Sequence, residues 1–182
     1  MESDDHYGAT LAAIAVGVAP DGYAKTSEAK KGLAGIRKYL EENPSPGLHH
    51  EAMRLWASSY LKDLMTEDEK KACTKKLLAL QKPDGGWGLA TLGDWKRADD
   101  SEPDKAKSDG YGTGFVIYVL RRGGMPASSP EIQRGVEWLK KNQRASGRWF
   151  TRSINKDSKH FISHAGTAMA VMALGECGEV PN

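Results

Sequence analysis

The stretch Gln143-Arg144-Ala145-Ser146-Gly147-Arg148-Trp149 decides the reading of this chain, because Gln81-Lys82-Pro83-Asp84-Gly85-Gly86-Trp87 repeats its plan. Each stretch follows a charged segment, and each runs from Gln through Gly to Trp. The three residue types have separate physical tasks. A Gln at a helix C-terminus can offer its amide to carbonyls that the helix leaves unpaired. Gly permits a sharp exit. Trp brings a large ring back onto the neighbouring helices. The two stretches therefore predict staples between helical hairpins, and Trp87 and Trp149 report fold rather than chemistry.

Upstream of each staple the sequence predicts an amphipathic helix. Ser129-Pro130-Glu131-Ile132 places Pro at a first helical position, and that helix runs to about Gln143. Its Ile132, Val136, Trp138 and Leu139 predict one apolar face, with Lys140 and Lys141 outside. Thr66-Glu67-Asp68-Glu69 reads as a capping box opening a helix to about Gln81. Ser27 to Glu42 opens with a Ser cap. Between these lie segments of another kind. Ser3-Asp4-Asp5-His6-Tyr7-Gly8, Ser108-Asp109-Gly110-Tyr111-Gly112-Thr113-Gly114 and Ile162-Ser163-His164-Ala165-Gly166-Thr167 each pair a polar start with small residues and an apolar run. The runs end near Gly17, Gly123-Gly124, and Gly175 with Gly178. A fourth such helix, His49 to about Leu64, holds the same place in the order. Seven helices result, apolar and amphipathic in alternation, and period-2 patterning is nearly absent. Apolar helices need cover on all sides, so the expected all-α architecture is an inner ring wrapped by an outer one.

Composition agrees with one folded domain over 1–182. Apolar residues at 39% with five Trp, six Tyr and three Phe supply a core and exclude disorder. The longest uncharged stretch, His6 to Pro20, is too short and too rich in Gly and Ala to span a bilayer. Lys and Arg number 26 against 24 Asp and Glu, which gives nucleic acid no reason to bind. Cys73 and Cys177 sit in no metal or redox spacing, and the reading calls for no cofactor. The acidic start Met1-Glu2-Ser3-Asp4-Asp5 is not a secretory leader, so a cytoplasmic setting is the default expectation and the compartment stays open.

With its upstream half Arg134-Gly135, Trp138-Leu139 and Gln143, the second staple resembles the QW repeat of squalene–hopene and oxidosqualene cyclases. The first keeps Lys71-Ala72, Leu77, Gln81, Gly85 and Trp87, with Lys76 in place of the aromatic. The segment Lys31 to Asn43 keeps only Tyr39-Leu40. The resemblance implies the α/α toroid shared by terpenoid cyclases and protein prenyltransferase β subunits. A complete ring has six hairpins, and this chain supplies about half, which suggests a fragment or a structural part of a larger protein. Two alternatives stand beside that reading: a class II isoprenoid cyclase (an isomerase), or an isoprenoid-binding module without chemistry.

The inner-helix starts gather the candidate site residues. Glu2-Ser3-Asp4-Asp5 resembles the Asp-any-Asp-Asp acid motif of class II cyclases, which makes Asp4, with Asp5 beside it, the candidate proton donor. Glu2 replaces the first Asp, and His6-Tyr7 replaces the usual Thr-Ala. Donation to an alkene needs a neutral, strongly acidic carboxyl in an apolar chamber. Tyr7, His50, Tyr111 and His164 are the candidate substrate-binding residues at the rim. Asp109-Gly110-Tyr111-Gly112 and Ser163-His164 resemble the helix starts of prenyltransferase β subunits, which implies Asp109 and His164 as zinc ligands. The thiolate of that site falls on Tyr111, so the main reading is no metal. Asp4 and Asp109 equally suit plain helix capping. Trp56, Tyr60, Phe115 and Tyr118 suit either a carbocation-stabilising lining or ordinary core.

Two long charged loops complete the reading. Asp94 to Lys107 is expected to be a solvated connector, with a lid or partner contact as the alternative for a loop of that length, and Thr151 to Phe161 is basic through Arg152, Lys156, Lys159 and His160. The last helix has no outer partner in the chain, which leaves Met169, Val171, Met172 and Leu174 in need of cover. A homodimer, or the other half of the ring, is the expected partner.

Overall fold

The computed structural model describes residues 4–158 and 161–179. Seven α-helices and no strand occur among the described residues: α1 Asp5–Val18, α2 Ser27–Glu42, α3 Leu48–Ser58, α4 Glu67–Ala79, α5 Gly110–Arg122, α6 Pro130–Asn142 and α7 Ile162–Glu176. The chain divides into two compact units, Met1–Thr74 and Lys75–Asn182, with the division inside α4. No helix among the described residues is long and apolar enough to cross a membrane.

In the first unit α1 packs on α2 and α3. His6, Thr10, Ala13 and Ile14 of α1 are buried, one helical face by spacing. The opposite side stays wet: Leu11 is 45% and Val18 53% exposed. Helix α1 is thus covered on one face only, although its composition predicts cover all round. The cap of α2 is Thr26, not Ser27; the Thr26 hydroxyl accepts the Ala29 N–H at 3.2 Å. Helix α3 stops at Ser58, short of the expected Leu64. The hydroxyls of Ser58 and Ser59 donate back to the carbonyls of Leu55 and Trp56, each at 2.7 Å, and so compete with continuation of the helix. A short 3-10 turn, Lys62–Leu64, follows. The capping box at α4 forms as predicted. The Thr66 N–H donates to Glu69 Oε2 at 2.7 Å, and the Glu69 N–H donates to Thr66 Oγ1 at 3.2 Å.

In the second unit α5 is the centre. Every residue from Gly110 to Leu120 is buried. Helix α7 lies along it so closely that a Cβ on Gly114 would stand 2.5 Å from the backbone N of Ala170. Only Gly permits that approach. Ile132, Val136 and Leu139 of α6 are buried; Trp138 is half-buried and donates its indole N–H to Asp84 Oδ2 at 3.0 Å rather than joining that face. The Arg121 guanidinium donates to the Glu176 carbonyl at 3.1 and 3.0 Å, a cation set at the negative end of α7. The apolar side of α7 is less bare than expected. Leu174 is buried and Met169 and Met172 are half-buried, which leaves Val171, 49% exposed.

The two Gln-to-Trp segments fold alike. Trp87 Nε1 donates to the Leu77 carbonyl, and Trp149 Nε1 to the Leu139 carbonyl, both at 2.8 Å. Gln81 and Gln143 donate to the carbonyls of Gly85 and Gly147 at 2.9 and 3.0 Å. Gly85 and Gly147 hold the turns at φ 90° and 76°, where a side chain would be strained. The backbone N–H of each Trp reaches a Thr hydroxyl of the helix that follows, Thr113 at 3.0 Å and Thr167 at 3.2 Å. The helix-end carbonyl is therefore met by the Trp indole, and the Gln amide braces the turn. The Gln reaches a turn carbonyl because the chain reverses immediately behind it.

The Asp94–Lys107 loop is more than a solvated connector. Its Arg97 side chain is fully buried. It donates to Asp99, Ser101, Asp157 and the Ser153 carbonyl, tying this loop to the basic loop.

Candidate functional site

Two groups of candidate residues form, one in each unit. In the first, Asp4 caps α1, and its Oδ1 accepts the Tyr7 N–H at 2.9 Å. Its Oδ2 accepts from His50 Nε2 on α3 at 2.9 Å. The His6 ring meets the His50 ring edge-on at 5.3 Å, and His49 meets His50 at 5.8 Å. Tyr7 stacks on His49 at 6.2 Å. His6 Nε2 lies 3.1 Å from Ser45 Oγ, and its buried Nδ1 has no hydrogen-bond partner among the described residues. The structure thus brings Asp4, Tyr7 and His50 together and adds His6, His49 and Ser45 to them. Asp5 is exposed in the first turn of α1 and stands outside the group. Glu2 and Ser3 of the acidic motif, and Lys159 and His160 of the basic loop, lie outside the described residues.

The electrostatics of the first group are set by one hydrogen-bonded carboxylate beside buried imidazoles. Burial alone would raise Asp4, but the hydrogen bonds from His50 and the Tyr7 amide, with the charge of the two imidazoles, hold it below the usual carboxylate range. Burial pushes His49 down to about 4, helped by His50. Burial lowers His6 too, with repulsion from His50 and Arg54.

In the second unit Asp109 caps α5 and is half-buried. Oδ1 accepts the Gly112 N–H at 2.8 Å and the Thr151 hydroxyl at 3.2 Å; Oδ2 accepts the Leu89 N–H at 2.7 Å. Its own N–H donates to the Trp87 carbonyl at 2.9 Å. Burial raises the carboxyl above its ordinary range, and the hydrogen bonds only partly offset it. Asp109 is the joint between a staple, an inner helix and the next loop. Tyr111 is buried and stacks on Phe115 at 5.6 Å. Its N–H donates to Thr151 Oγ1 at 2.9 Å. His164 stands exposed in the first turn of α7.

Both Asp109 oxygens are engaged in hydrogen bonds, and no group of three His, Cys, Asp or Glu among the described residues is placed to hold a metal ion. Sequence reading missed Ser45, Thr113, Thr151 and Arg97. Ser45 lies within Asn43-Pro44-Ser45-Pro46-Gly47 and Thr151 within a basic loop, where a lone hydroxyl carries no signal.

Alternating apolar and amphipathic helices joined by two matching Gln-to-Trp turns place the chain in the all-α class of helical hairpins to which the α/α toroids belong. The chain belongs to the squalene-hopene cyclase C-terminal domain family, whose model matches residues 52–164. The matched stretch takes in both Gln-to-Trp segments, Asp109, Tyr111 and His164; Asp4, Asp5, Tyr7 and His50 precede it. A search of curated proteins found no match.

Proposed function

We propose that this cyclase-like domain is a structural, non-catalytic part of a larger isoprenoid-cyclase-type assembly. The observation that carries the reading is the state of Asp4. An acid that protonates an alkene must be neutral when the substrate arrives. Asp4 is bound by the Tyr7 amide and His50 and shifted toward its ionised form, with its side chain 52% exposed. Asp109, the other inner-helix acid, has both oxygens engaged in holding Leu89, Gly112 and Thr151. The competing reading, a class II cyclase acting through Asp4, makes a different prediction. Incubation with squalene and shorter polyprenyl substrates, followed by mass spectrometry, should give no cyclised product. A cyclised product that disappears in Asp4→Asn would overturn the structural reading.

The same reading assigns cover to apolar residues left wet, among them Leu11 and Val18 on α1 and Val171 on α7. A second copy of the chain supplies that cover. Light scattering coupled to size exclusion should report a dimer, and a monomer across the micromolar range would remove it.

A further inference from the structure

A cavity of about 340 Å³ lies between the second Gln-to-Trp turn and the first turn of α7, lined by Arg144, Ser146, Arg148, Phe150, Ser163 and His164 among others. No carboxylate lines it. Its always-charged lining side chains are Arg144 and Arg148. The one acid between Trp138 and Gly175 is Asp157. That acid is already spent: Arg152 donates to it at 2.7 and 2.8 Å and Arg97 at 2.9 Å. Arg37 and Arg122, by contrast, find carboxylates on Asp63 and Glu176, each at 3.2 Å. Arg144 and Arg148 form no ion pair among the described residues.

The two guanidiniums are mounted on one closed turn. The Arg144 N–H donates to the Arg148 carbonyl at 3.0 Å, and the Gly147 N–H returns to the Arg144 carbonyl at 2.8 Å. Arg144 lies over the Phe150 ring, 4.6 Å from its centre, which limits its freedom before any ligand arrives. On the opposite wall α7 begins with no side-chain cap and no acid in its first turn, so its positive end is uncompensated. The Ser163 hydroxyl is engaged with Thr151 and fixes that wall; Ser146 and His164 remain as polar lining.

We propose that this cavity binds a phosphate ester or diphosphate. Two forked guanidiniums present paired N–H donors to a tetrahedral dianion, and together they supply the two positive charges it needs. This assignment is independent of whether the domain is structural or catalytic.

Calorimetric titration of the full chain with pyrophosphate should show saturable binding that weakens as salt is added. The double variant Arg144→Gln, Arg148→Gln should weaken it at least about tenfold, and Arg144→Lys, which keeps charge but loses the fork, by less. Removing Lys30 and Lys31 on α2 as Gln should change it less than about twofold. Arg148→Gln alone, at an exposed site, guards against misfolding of the double variant. Absence of saturable binding, or equal losses in the α2 control, overturns the proposal. Co-sedimentation with phosphatidylcholine vesicles, with and without phosphatidic acid, separates the sources. Capture by phosphatidic acid that needs both arginines and yields to pyrophosphate assigns a lipid headgroup; pyrophosphate binding without capture assigns a free ester.

Discussion

Trp149 donates its indole N–H to the Leu139 carbonyl at 2.8 Å, ten residues back along the chain and in the last turn of α6. Trp87 makes the same bond to Leu77 at the same distance. The ring fills a buried site, and its one polar atom meets a carbonyl in the last turns of the helix; that of Leu77 also accepts the Leu80 N–H at 3.2 Å. Replacing either Trp by Phe should cost about 2 kcal/mol, part from the lost indole hydrogen bond and part from lost volume. Chemical denaturation of Trp87→Phe and Trp149→Phe checks it, with similar losses expected for both.

The two glutamines should not behave alike. Gln143 is exposed and has one bond, to Gly147. Gln81 is half-buried; it donates to Gly85 and, at 2.8 Å, to Glu131 at the start of α6, and it accepts from Arg134. Gln81→Ala should lose roughly 1–2 kcal/mol, and Gln143→Ala about half of that or less. Equal losses would mean that the contacts to α6 contribute nothing.

Asp109 links stability to pH in an unusual direction for a carboxylate. Its folded pKa is raised, so the folded chain binds a proton that the unfolded chain has already released. Stability contributed through this group therefore rises as pH falls from neutral through the folded pKa toward the ordinary value of 3.8. Asp109→Asn should remove that trend and keep part of the cap. Asp109→Ala, which strands the N–H groups of Leu89 and Gly112, should lose about 3 kcal/mol at neutral pH. Melting curves of the three proteins across acid pH test both statements.

His49 works the other way. The unfolded imidazole takes a proton near its ordinary value of 6.5, while the buried one stays neutral down to about 4. Stability should be flat above that window and fall as pH drops through it, by at most about 3 kcal/mol from this group. His6 adds to the same slope, since its pKa is also lowered. In His49→Phe the slope between those two values should shrink, whatever the variant's stability at neutral pH.

The helix order, the α4 capping box and both Gln-to-Trp turns were legible in the sequence because they depend on neighbours a few residues apart. Caps and periodic faces are local physics. What was not legible depends on contacts across the fold. Nothing around Thr151 marks it as the residue that bonds both Asp109 and Tyr111, forty residues away or more. The His6–His50–Asp4 group was visible only as separate polar helix starts, since its bonds join α1 to α3. Trp138 fits the apolar spacing of α6 but turns to Asp84, a residue of the first staple, which helical periodicity cannot reveal.

Arg97 shows the same limit and yields the sharpest test. Its segment, Asp94 to Lys107, reads as a surface connector by composition, yet the Arg97 side chain is fully removed from water. Five acceptors converge on it: both Asp99 oxygens, the Ser101 hydroxyl, the Ser153 carbonyl and Asp157 Oδ1. A second cross-loop bond, from the Ala98 N–H to the Asn155 carbonyl at 2.9 Å, depends on the loops staying together. Hydrogen bonds from Arg152, with the Arg97 bond added, hold Asp157 down to about 2, so the clamp should survive mild acid and fail only as pH falls through that value. Arg97→Met keeps the bulk of the stem but leaves the Ser153 carbonyl and two carboxylates without their shared donor. Because Asp99 and Asp157 are partly exposed and water can replace part of what is lost, the cost should be about 1–3 kcal/mol. The effect should be local. Amide exchange in 94–107 and 151–158 should rise steeply, and trypsin should cut within the first loop, while α5 and α6 keep their protection. Arg97→Lys should restore one or two of the bonds and an intermediate exchange rate, because an ammonium cannot span all five acceptors. Unchanged exchange in both loops of Arg97→Met would show that the clamp does not hold them.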